Sequence, residues 1–329
     1  MTLAASIATA IDRRRPLLAA LAAEGTDCVR LFHGAVEGHP GLAIDRYGSV
    51  LLTQSWGAPI DAEVQATITR VVRESLAIEL ASAFVERAQG GARVGDDPRL
   101  VAAVGHELGL LYDVRPFALG QDPLLFLDLR ALRRLVKDTA RGLSVLNLFA
   151  YTCGLGVAAA AGGAREVLNV DFAASALALG RANAERNGIG DAVFRTLEEN
   201  AIPILRQLAD LPVKGRGRLR PYARVAARAF DLVLLDPPRW AKSPFGAIDV
   251  ERDYPSLLRP AMRCVAKGGR LAATCHVPSM SKDELERVVR RSAEKEERTI
   301  AHLAMLTPEA DFPSPDGQPP LKIAVATLA

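Results

Sequence analysis

The chain has 329 residues, a length that predicts two domains, and its formal net charge of +3 is compatible with a polyanionic partner without identifying one. The four cysteines, Cys28, Cys153, Cys264 and Cys275, form no closely spaced pair, which argues against a disulfide framework and against a zinc site. This cysteine usage predicts a protein of the reducing cytoplasm with no bound metal. No apolar run approaches the ~20 residues of a membrane span, so we expect no membrane partner.

The N-terminal third predicts a helix followed by a small α+β domain. Residues 1–25 predict an amphipathic helix, since the basic cluster Arg13–Arg15 follows the apolar stretch, whereas a signal peptide carries its basic residues first. From residue 26 to about residue 115, short strands with glycine turns and one helix near Ala62–Leu76 predict an α+β domain.

A different pattern begins near Leu124. It predicts a helix over 126–140, a strand over 143–150, a helix from Gly156, a strand over 166–171 and a helix over 175–188. Strands that alternate with helices are typical of a parallel, doubly wound sheet. We therefore expect residues 116–329 to form an α/β domain with a Rossmann-like sheet.

A glycine loop follows the first strand of this sheet. Gly154 and Gly156 are expected to let the backbone turn tightly and approach a ligand. Asp171 ends the next strand, where its carboxylate could bind both hydroxyls of a ribose. The arrangement predicts a nucleoside site without selecting the nucleoside, and Gly154-x-Gly156-x-x-Ala159 also satisfies the dinucleotide fingerprint, so NAD stays open.

The stretch FDLVLLDPPRWAKS, residues 230–243, separates these candidates. Ligands of doubly wound sheets bind outside the carboxyl ends of the strands, so Asp236 is expected at the same edge as the glycine loop. Pro237 and Pro238 would hold the backbone rigid and leave its carbonyls available to a flat substrate. The pattern favours methylation of a nucleobase over dehydrogenation. The alternative is that Asp-Pro-Pro only forms the turn that ends the strand and binds no ligand.

Several motifs, in this order, carry a family resemblance: RLFHGAVEGHPGLAIDRYG, LFLDLR, LNLFAYTCGLGVAAAAGGA, VD at 170–171, DPPRW and TCH at 274–276. The sequence resembles the class I S-adenosylmethionine-dependent methyltransferases and, among them, the bacterial large-subunit ribosomal RNA methyltransferases that make 5-methylcytosine. Members commonly carry an N-terminal RNA-binding module of the PUA type, and here only a helix precedes the central domain.

The resemblance implies S-adenosylmethionine as the cofactor. Asp171 would bind the ribose, Arg130 the methionine carboxylate, and Glu199 or Asn200 the adenine amino group. The loop would surround the methionine part. The complete expected set of cofactor residues is Arg130, Phe149, Tyr151, Thr152, Gly154, Asp171, Phe172, Glu199, Asn200 and Asp236.

The resemblance also implies a nucleophile. Carbon 5 of cytosine reacts poorly unless a thiolate first adds at carbon 6, and the family match puts that thiolate at Cys275. Asp236 would stabilise or protonate nitrogen 3 if burial raises its pKa. His276 could assist proton removal, but its side chain is expected to face away from Cys275 if the strand continues.

Large-subunit ribosomal RNA is the expected partner, and the domain over residues 26–115 is expected to contact it. A basic segment, Lys214–Arg228, could add phosphate contacts, with a solvated loop as the alternative interpretation. The expected substrate residues are Pro237, Pro238, Arg239, Trp240, Lys214, Arg216, Arg218 and Arg220.

Other functions remain open. The segment IDVERDYPSLL after DPPRW resembles relatives that methylate guanine N7, a reaction that needs no cysteine. Amino-group methylation favours an aromatic residue directly after the two prolines, where this chain has Arg239. A non-catalytic RNA-binding factor with the cofactor fold is the remaining class, and a monomer and a homodimer are both open.

Overall fold

The structure is a computed structural model that describes residues 1–87, 91–213 and 221–329. These residues divide into two compact units. The first comprises Met1–Arg130 and Glu309–Gly317, and the second comprises Ala131–Pro308 and Gln318–Ala329. The division differs from the expected boundaries after residues 25 and 115. None of the helices in the described ranges is long and apolar enough to cross a bilayer.

The first unit is built on a five-stranded sheet with the order β1-β2-β3-β4-β5. Strands β3 and β4 are parallel and α2 connects them, whereas the other neighbours are antiparallel. Strands β6 and β7 form a separate hairpin. The elements are α1 (Leu3–Ala23), β1 (Cys28–His33), β2 (Leu42–Tyr47), β3 (Val50–Ser55), α2 (Ala62–Leu76), β4 (Ala81–Glu86), β5 (Arg93–Val94), β6 (Val104–Glu107) and β7 (Leu110–Asp113), with 3-10 turns at Pro98–Ala102 and Leu127–Leu129.

Two segments join the first unit beyond its expected limits. Helix α1 packs there because Ile7 and Ile11 are fully buried in the same apolar cluster as Leu31 of β1. The segment Glu309–Gly317 joins it because the buried carboxylate of Asp311 accepts hydrogen bonds from the backbone N–H of Arg30 (3.1 Å) and from the Arg130 guanidinium (2.9 Å). Long-range ion pairing, which no local pattern reveals, therefore sets this boundary.

The second unit alternates strands and helices. Its elements are α3 (Arg130–Thr139), β8 (Ser144–Leu148), α4 (Gly154–Ala161), β9 (Glu166–Asp171), α5 (Ala174–Arg186), β10 (Phe194–Glu198), α6 (Ala201–Leu208), β11 (Phe230–Leu235), β12 (Trp240–Ser243), β13 (Gly246–Asp249), α7 (Val250–Asp253), α8 (Pro255–Arg263), β14 (Val265–Cys275), α9 (Lys282–Lys295), β15 (Ile300–Leu306) and β16 (Lys322–Leu328).

Seven of these strands form one sheet with the order β10-β9-β8-β11-β14-β16-β15. The first five are parallel, and β16 is antiparallel to both of its neighbours. Strand β8 is buried along its whole length, as expected for a strand covered on both faces. The α/β, doubly wound sheet predicted from the sequence is confirmed. Its strand order reverses between β8 and β11, the place where such folds bind ligands.

Candidate active site

The polar residues of the candidate site follow strands that end at the same edge of the sheet. Leu235, the last residue of β11, pairs with Leu148 of β8 on one side and with Ala273 of β14 on the other. Asp171, at the end of β9, pairs with Glu198 of β10. Since these strands are parallel, the loop after β8, Asp171, Asp236 and the end of β14 meet at their carboxyl edge.

The loop between β8 and α4 has an unusual backbone. Phe149, Tyr151 and Cys153 have φ angles of +59°, +49° and +60°, in the left-handed region. Each such residue costs about 1 kcal/mol, and such strain is concentrated at ligand sites. The loop is held by a hydrogen bond from the Ala150 N–H to the Val170 carbonyl (3.1 Å) and by one from the Tyr151 N–H to Oδ2 of Asp171 (2.8 Å).

The glycines of the motif have a different role from the one predicted. The tight turn is made by the left-handed residues, and Gly154 and Gly156 begin helix α4. A Cβ atom on Gly156 would lie 2.0 Å from Oδ1 of Asn169 on β9. That oxygen accepts a hydrogen bond from the amide of Asn147 on β8 (2.9 Å). Gly156 therefore allows close packing of the helix on the strand, as the third glycine of a dinucleotide fingerprint does.

The carboxylate of Asp171 suits a ribose. Oδ2 accepts from the Tyr151 N–H (2.8 Å) and Oδ1 from the Ala173 N–H (2.9 Å). A carboxylate oxygen has two lone pairs, so each oxygen keeps an acceptor position for one of the two ribose hydroxyls. Phe172 follows directly and is 68% exposed, which gives an apolar surface beside the ribose position. These residues fit a nucleoside cofactor.

Glu199 and Asn200, the expected partners of the adenine amino group, already hold the backbone. Oε1 of Glu199 accepts from the Asn200 N–H (2.8 Å), and Oε2 accepts from the Ala223 N–H (2.8 Å). Oδ1 of Asn200 caps helix α6 by accepting from the Ile202 N–H (2.9 Å). Each oxygen retains one lone pair, so either residue could still accept from an adenine.

Arg130 uses all five of its N–H donors within the first unit. Nε donates to Glu107 (3.2 Å), Nη1 to Glu309 (3.0 Å) and to Asp311 (3.1 Å), and Nη2 to Asp311 (2.9 Å) and to the Cys28 carbonyl (2.7 Å). The side chain is fully buried. A methionine carboxylate would have to displace one of these partners, so the contacts support a structural role for Arg130.

Asp236 has two side-chain partners at the end of β14. Oδ1 accepts a hydrogen bond from the Thr274 hydroxyl, and it lies 3.2 Å from Nε2 of His276. The hydroxyl of Tyr254 in turn donates to the Thr274 carbonyl (2.6 Å). The result is a carboxylate held in one orientation beside an imidazole, a pair that can transfer a proton to or from a bound base.

Cys275 lies between Thr274 and His276 in the sequence, but its side chain contacts Met280 and not Asp236. Its Sγ lies 3.4 Å from Sδ of Met280, and the residue is 1% exposed. Burial raises the pKa of the thiol, while a hydrogen bond from the Val277 N–H and the charge of Lys322 act in the opposite direction. Lys322 is itself buried and donates from Nζ to the Val277 carbonyl (2.9 Å). Strand β14 ends at Cys275, so the condition for the expected strand alternation is not met; His276 contacts Asp236, whereas Cys275 contacts Met280.

The expected substrate residues after Asp236 begin a small hairpin. Pro237 is buried and Pro238 is exposed. Arg239 pairs with Glu251 (3.1 Å), and Trp240, which is 62% exposed, begins β12. Four expected RNA contacts lie outside the described residues: Lys214, Arg216, Arg218 and Arg220.

Sequence reasoning missed the polar residues that orient the site. Thr274, Tyr254, Asn169 and Lys322 were not singled out, although all four are buried and three of them, Thr274, Asn169 and Lys322, lie in largely buried strands. An isolated polar residue in a buried strand requires a hydrogen-bond partner, and that requirement was the available signal. The identity of the partner depends on tertiary contacts.

Comparison with known proteins agrees with this geometry. A family model described as S-adenosylmethionine-dependent methyltransferase matches residues 29–325. Ribosomal RNA large subunit methyltransferase I of Erwinia tasmaniensis is 27% identical over 88% of this chain and 71% of that protein. Ribosomal RNA large subunit methyltransferase of Deinococcus radiodurans is 29% identical over 87% of this chain and 69% of that protein.

A solved structure from Streptococcus mutans, described as a SAM-dependent methyltransferase, has the same fold. It superimposes with a TM-score of 0.78 at 22% identity, over 98% of this chain and 80% of that one. The cofactor of the matched family is S-adenosylmethionine, which the contacts of Asp171 and of the left-handed loop accommodate. The family match covers most of the sequence, and the chain belongs to the S-adenosylmethionine-dependent methyltransferases.

Proposed function

We propose that this enzyme methylates a base of large-subunit ribosomal RNA in the cytoplasm, and that the methylated atom is carbon 5 of cytosine. The RNA substrate is supported by the names of the relatives from Erwinia tasmaniensis and Deinococcus radiodurans, and the net charge of +3 suits a polyanion. A base as the acceptor is supported by Asp236 and the two prolines after it, which lie between β11 and β12 and belong to neither strand.

The environment of Cys275 is the observation that carries the choice of carbon 5. A nucleophilic thiol must reach its thiolate form, and nearby cations and N–H donors stabilise that form. Cys275 has both, from Lys322 and from the Val277 N–H.

In the proposed reaction, the Cys275 thiolate adds to carbon 6 of cytosine, and this bond makes carbon 5 nucleophilic. S-Adenosylmethionine supplies the methyl group when bound. Addition of the thiolate places negative charge on the ring, so Asp236 gives a proton to nitrogen 3 while the bond from carbon 5 to the methyl group forms, and it takes that proton back when the product is released. His276, paired with Asp236, then accepts the proton of carbon 5, the bond between carbon 6 and sulfur breaks, and the thiolate is regenerated.

Guanine N7 methylation is the second candidate, and one observation favours it. The Cys275 thiol packs against Met280 with almost no exposure, and burial raises its pKa, so it must turn toward the substrate before it can attack. Nitrogen 7 carries its own lone pair and needs no covalent activation. The Asp236 site could orient a guanine without any contribution from the cysteine.

Trapping distinguishes the two candidates. Large-subunit ribosomal RNA that contains 5-fluorocytidine should form a stable covalent adduct with the wild-type enzyme, because fluorine cannot leave as the proton does. Cys275→Ser should form none, whereas Cys264→Ser, which alters another buried free cysteine, should form the adduct as the wild type does. Methyl transfer to ribosomal RNA without any adduct, at an undiminished rate in Cys275→Ser, would leave guanine N7 as the function.

A further inference from the structure

A group of aromatic and basic side chains lies on two segments of the second unit that the proposed reaction does not use. The rings of Tyr222 and Phe245 meet edge to face with centroids 5.7 Å apart. The guanidinium carbon of Arg224 lies 4.4 Å from the centroid of the Tyr222 ring, and Nη1 donates to the Tyr222 hydroxyl (2.9 Å). We call Tyr222, Arg224 and Phe245 the aromatic platform.

Both segments that form the platform are attached to the active site. Ala223, between Tyr222 and Arg224, donates from its N–H to Oε2 of Glu199 (2.8 Å), and its carbonyl accepts from the amide of Gln207 (3.0 Å). Phe245 lies in the turn of the β12–β13 hairpin, which begins one residue after the Asp236-Pro237-Pro238 motif. The platform therefore joins the segment bound to Glu199, which follows β10, to the hairpin after Asp236, which follows β11.

The charge around the platform suits a polyanion. Arg224 and Lys242 are exposed, and neither pairs with a carboxylate among the residues that the structure describes. By contrast, Arg228, four residues after Arg224, pairs with Glu166 through both terminal nitrogens (3.0 and 2.6 Å). Arg224 is thus a cation beside an aromatic ring, and Lys242 is a second exposed cation on β12, three residues before Phe245. Single-stranded nucleic acids are bound by such a combination of stacking and phosphate contact.

We propose that the aromatic platform binds an unpaired nucleotide that flanks the target base, with its base stacked on Arg224 and Tyr222 and its phosphate near Lys242. The inference rests on the proposed RNA substrate. A duplex cannot offer an unstacked base, so the platform requires a single-stranded or locally opened site. The same contact would fix the register of the RNA relative to Asp236.

Binding of short RNA tests the platform without requiring turnover. Fluorescence anisotropy should show that a single strand of about 12 nucleotides binds more tightly than the corresponding duplex. Tyr222→Ala should weaken binding of the single strand about tenfold, because stacking on one aromatic side chain contributes about 1–3 kcal/mol. Tyr222→Phe should retain most of the affinity, and Arg224→Ala should weaken it and reduce its salt dependence.

Two controls show whether a loss of RNA affinity comes from the aromatic platform itself or from a general change in the protein. Arg186→Ala, an exposed arginine at the end of α5, should bind RNA as the wild type does, and all variants should bind S-adenosylhomocysteine with unchanged affinity. If Tyr222→Ala and the wild type bind the single strand with equal affinity, the proposal that the aromatic platform binds RNA is wrong. Failure to methylate ribosomal RNA would overturn the proposed function alone, since the binding measurement does not depend on it.

Discussion

Nε2 of His276 lies 3.2 Å from Oδ1 of Asp236, and this contact joins the residue that follows β14 to the residue that follows β11. The same carboxylate oxygen accepts a hydrogen bond from the hydroxyl of Thr274. The residue before Cys275 and the residue after it therefore both orient Asp236. A carboxylate next to an imidazole can fix its orientation and stabilise its protonated form. The pair is therefore the centre of the proposed proton transfer.

Replacement of His276 tests that role. His276→Gln can still hydrogen-bond Asp236 but cannot accept a proton, so we expect kcat to fall about 100-fold with little change in KM for the RNA. Steady-state methyl transfer to ribosomal RNA measures both constants. His302→Gln, at an exposed position of β15, is the matched control. An unchanged kcat in His276→Gln would remove the histidine from the mechanism.

Asp171 should control cofactor affinity. Each hydrogen bond to a charged group contributes about 1.5–3 kcal/mol, so loss of two ribose contacts in Asp171→Ala should weaken S-adenosylhomocysteine binding at least 100-fold. Titration calorimetry gives the dissociation constant. Asp191→Ala, at an exposed turn in the same unit, should bind normally. Since Asp171 also accepts from the Tyr151 N–H, circular dichroism must show that the variant is folded.

The buried ion pairs of Arg130 should stabilise the fold and leave cofactor affinity unchanged. Asp311→Asn removes a charge that pairs with the guanidinium through both carboxylate oxygens, and breaking a buried pair typically costs about 3–5 kcal/mol. Chemical denaturation measures the free energy of unfolding, with the exposed Asp96→Asn as the control. Weakened cofactor binding in a folded Asp311→Asn protein would instead indicate that Arg130 contributes to the cofactor site.

Methyl transfer should depend on pH through Cys275. Burial raises the pKa of its thiol above the ordinary value, so the thiolate is the minor form near neutral pH and its fraction increases as pH rises. We therefore expect single-turnover rates to increase with pH through the neutral and mildly alkaline range. His276→Gln should show the same increase at a lower rate. A rate that does not change with pH would be inconsistent with attack by the thiol.

The order of strands and helices could be predicted from the sequence because local patterns determine it. The helix over Ala62–Leu76 and the strand over Glu166–Asp171 have the bounds that were expected. Asp171 and Asp236 could also be predicted, because the first ends and the second directly follows an apolar strand of a parallel sheet, and such strand ends meet at one edge.

The contacts that distinguish structural from functional residues could not be predicted in this way. Arg130 resembled a ligand for the cofactor, but its partner Asp311 is 181 residues away in sequence. The left-handed conformation of Tyr151 depends on the side chain of Asp171, 20 residues later. Whether Cys275 contacts Met280 or a substrate depends on a side-chain orientation that no spacing encodes.

The proposed function requires Cys275 for methylation of carbon 5 of a cytosine in large-subunit ribosomal RNA. The most direct test is quantitative mass spectrometry of nucleosides from that RNA in a strain lacking the gene, complemented with the wild type or with Cys275→Ser. We predict that 5-methylcytidine is lost on deletion and restored by the wild type but not by Cys275→Ser. Unchanged 5-methylcytidine together with loss of 7-methylguanosine, restored by both forms, would exclude methylation of carbon 5 by Cys275.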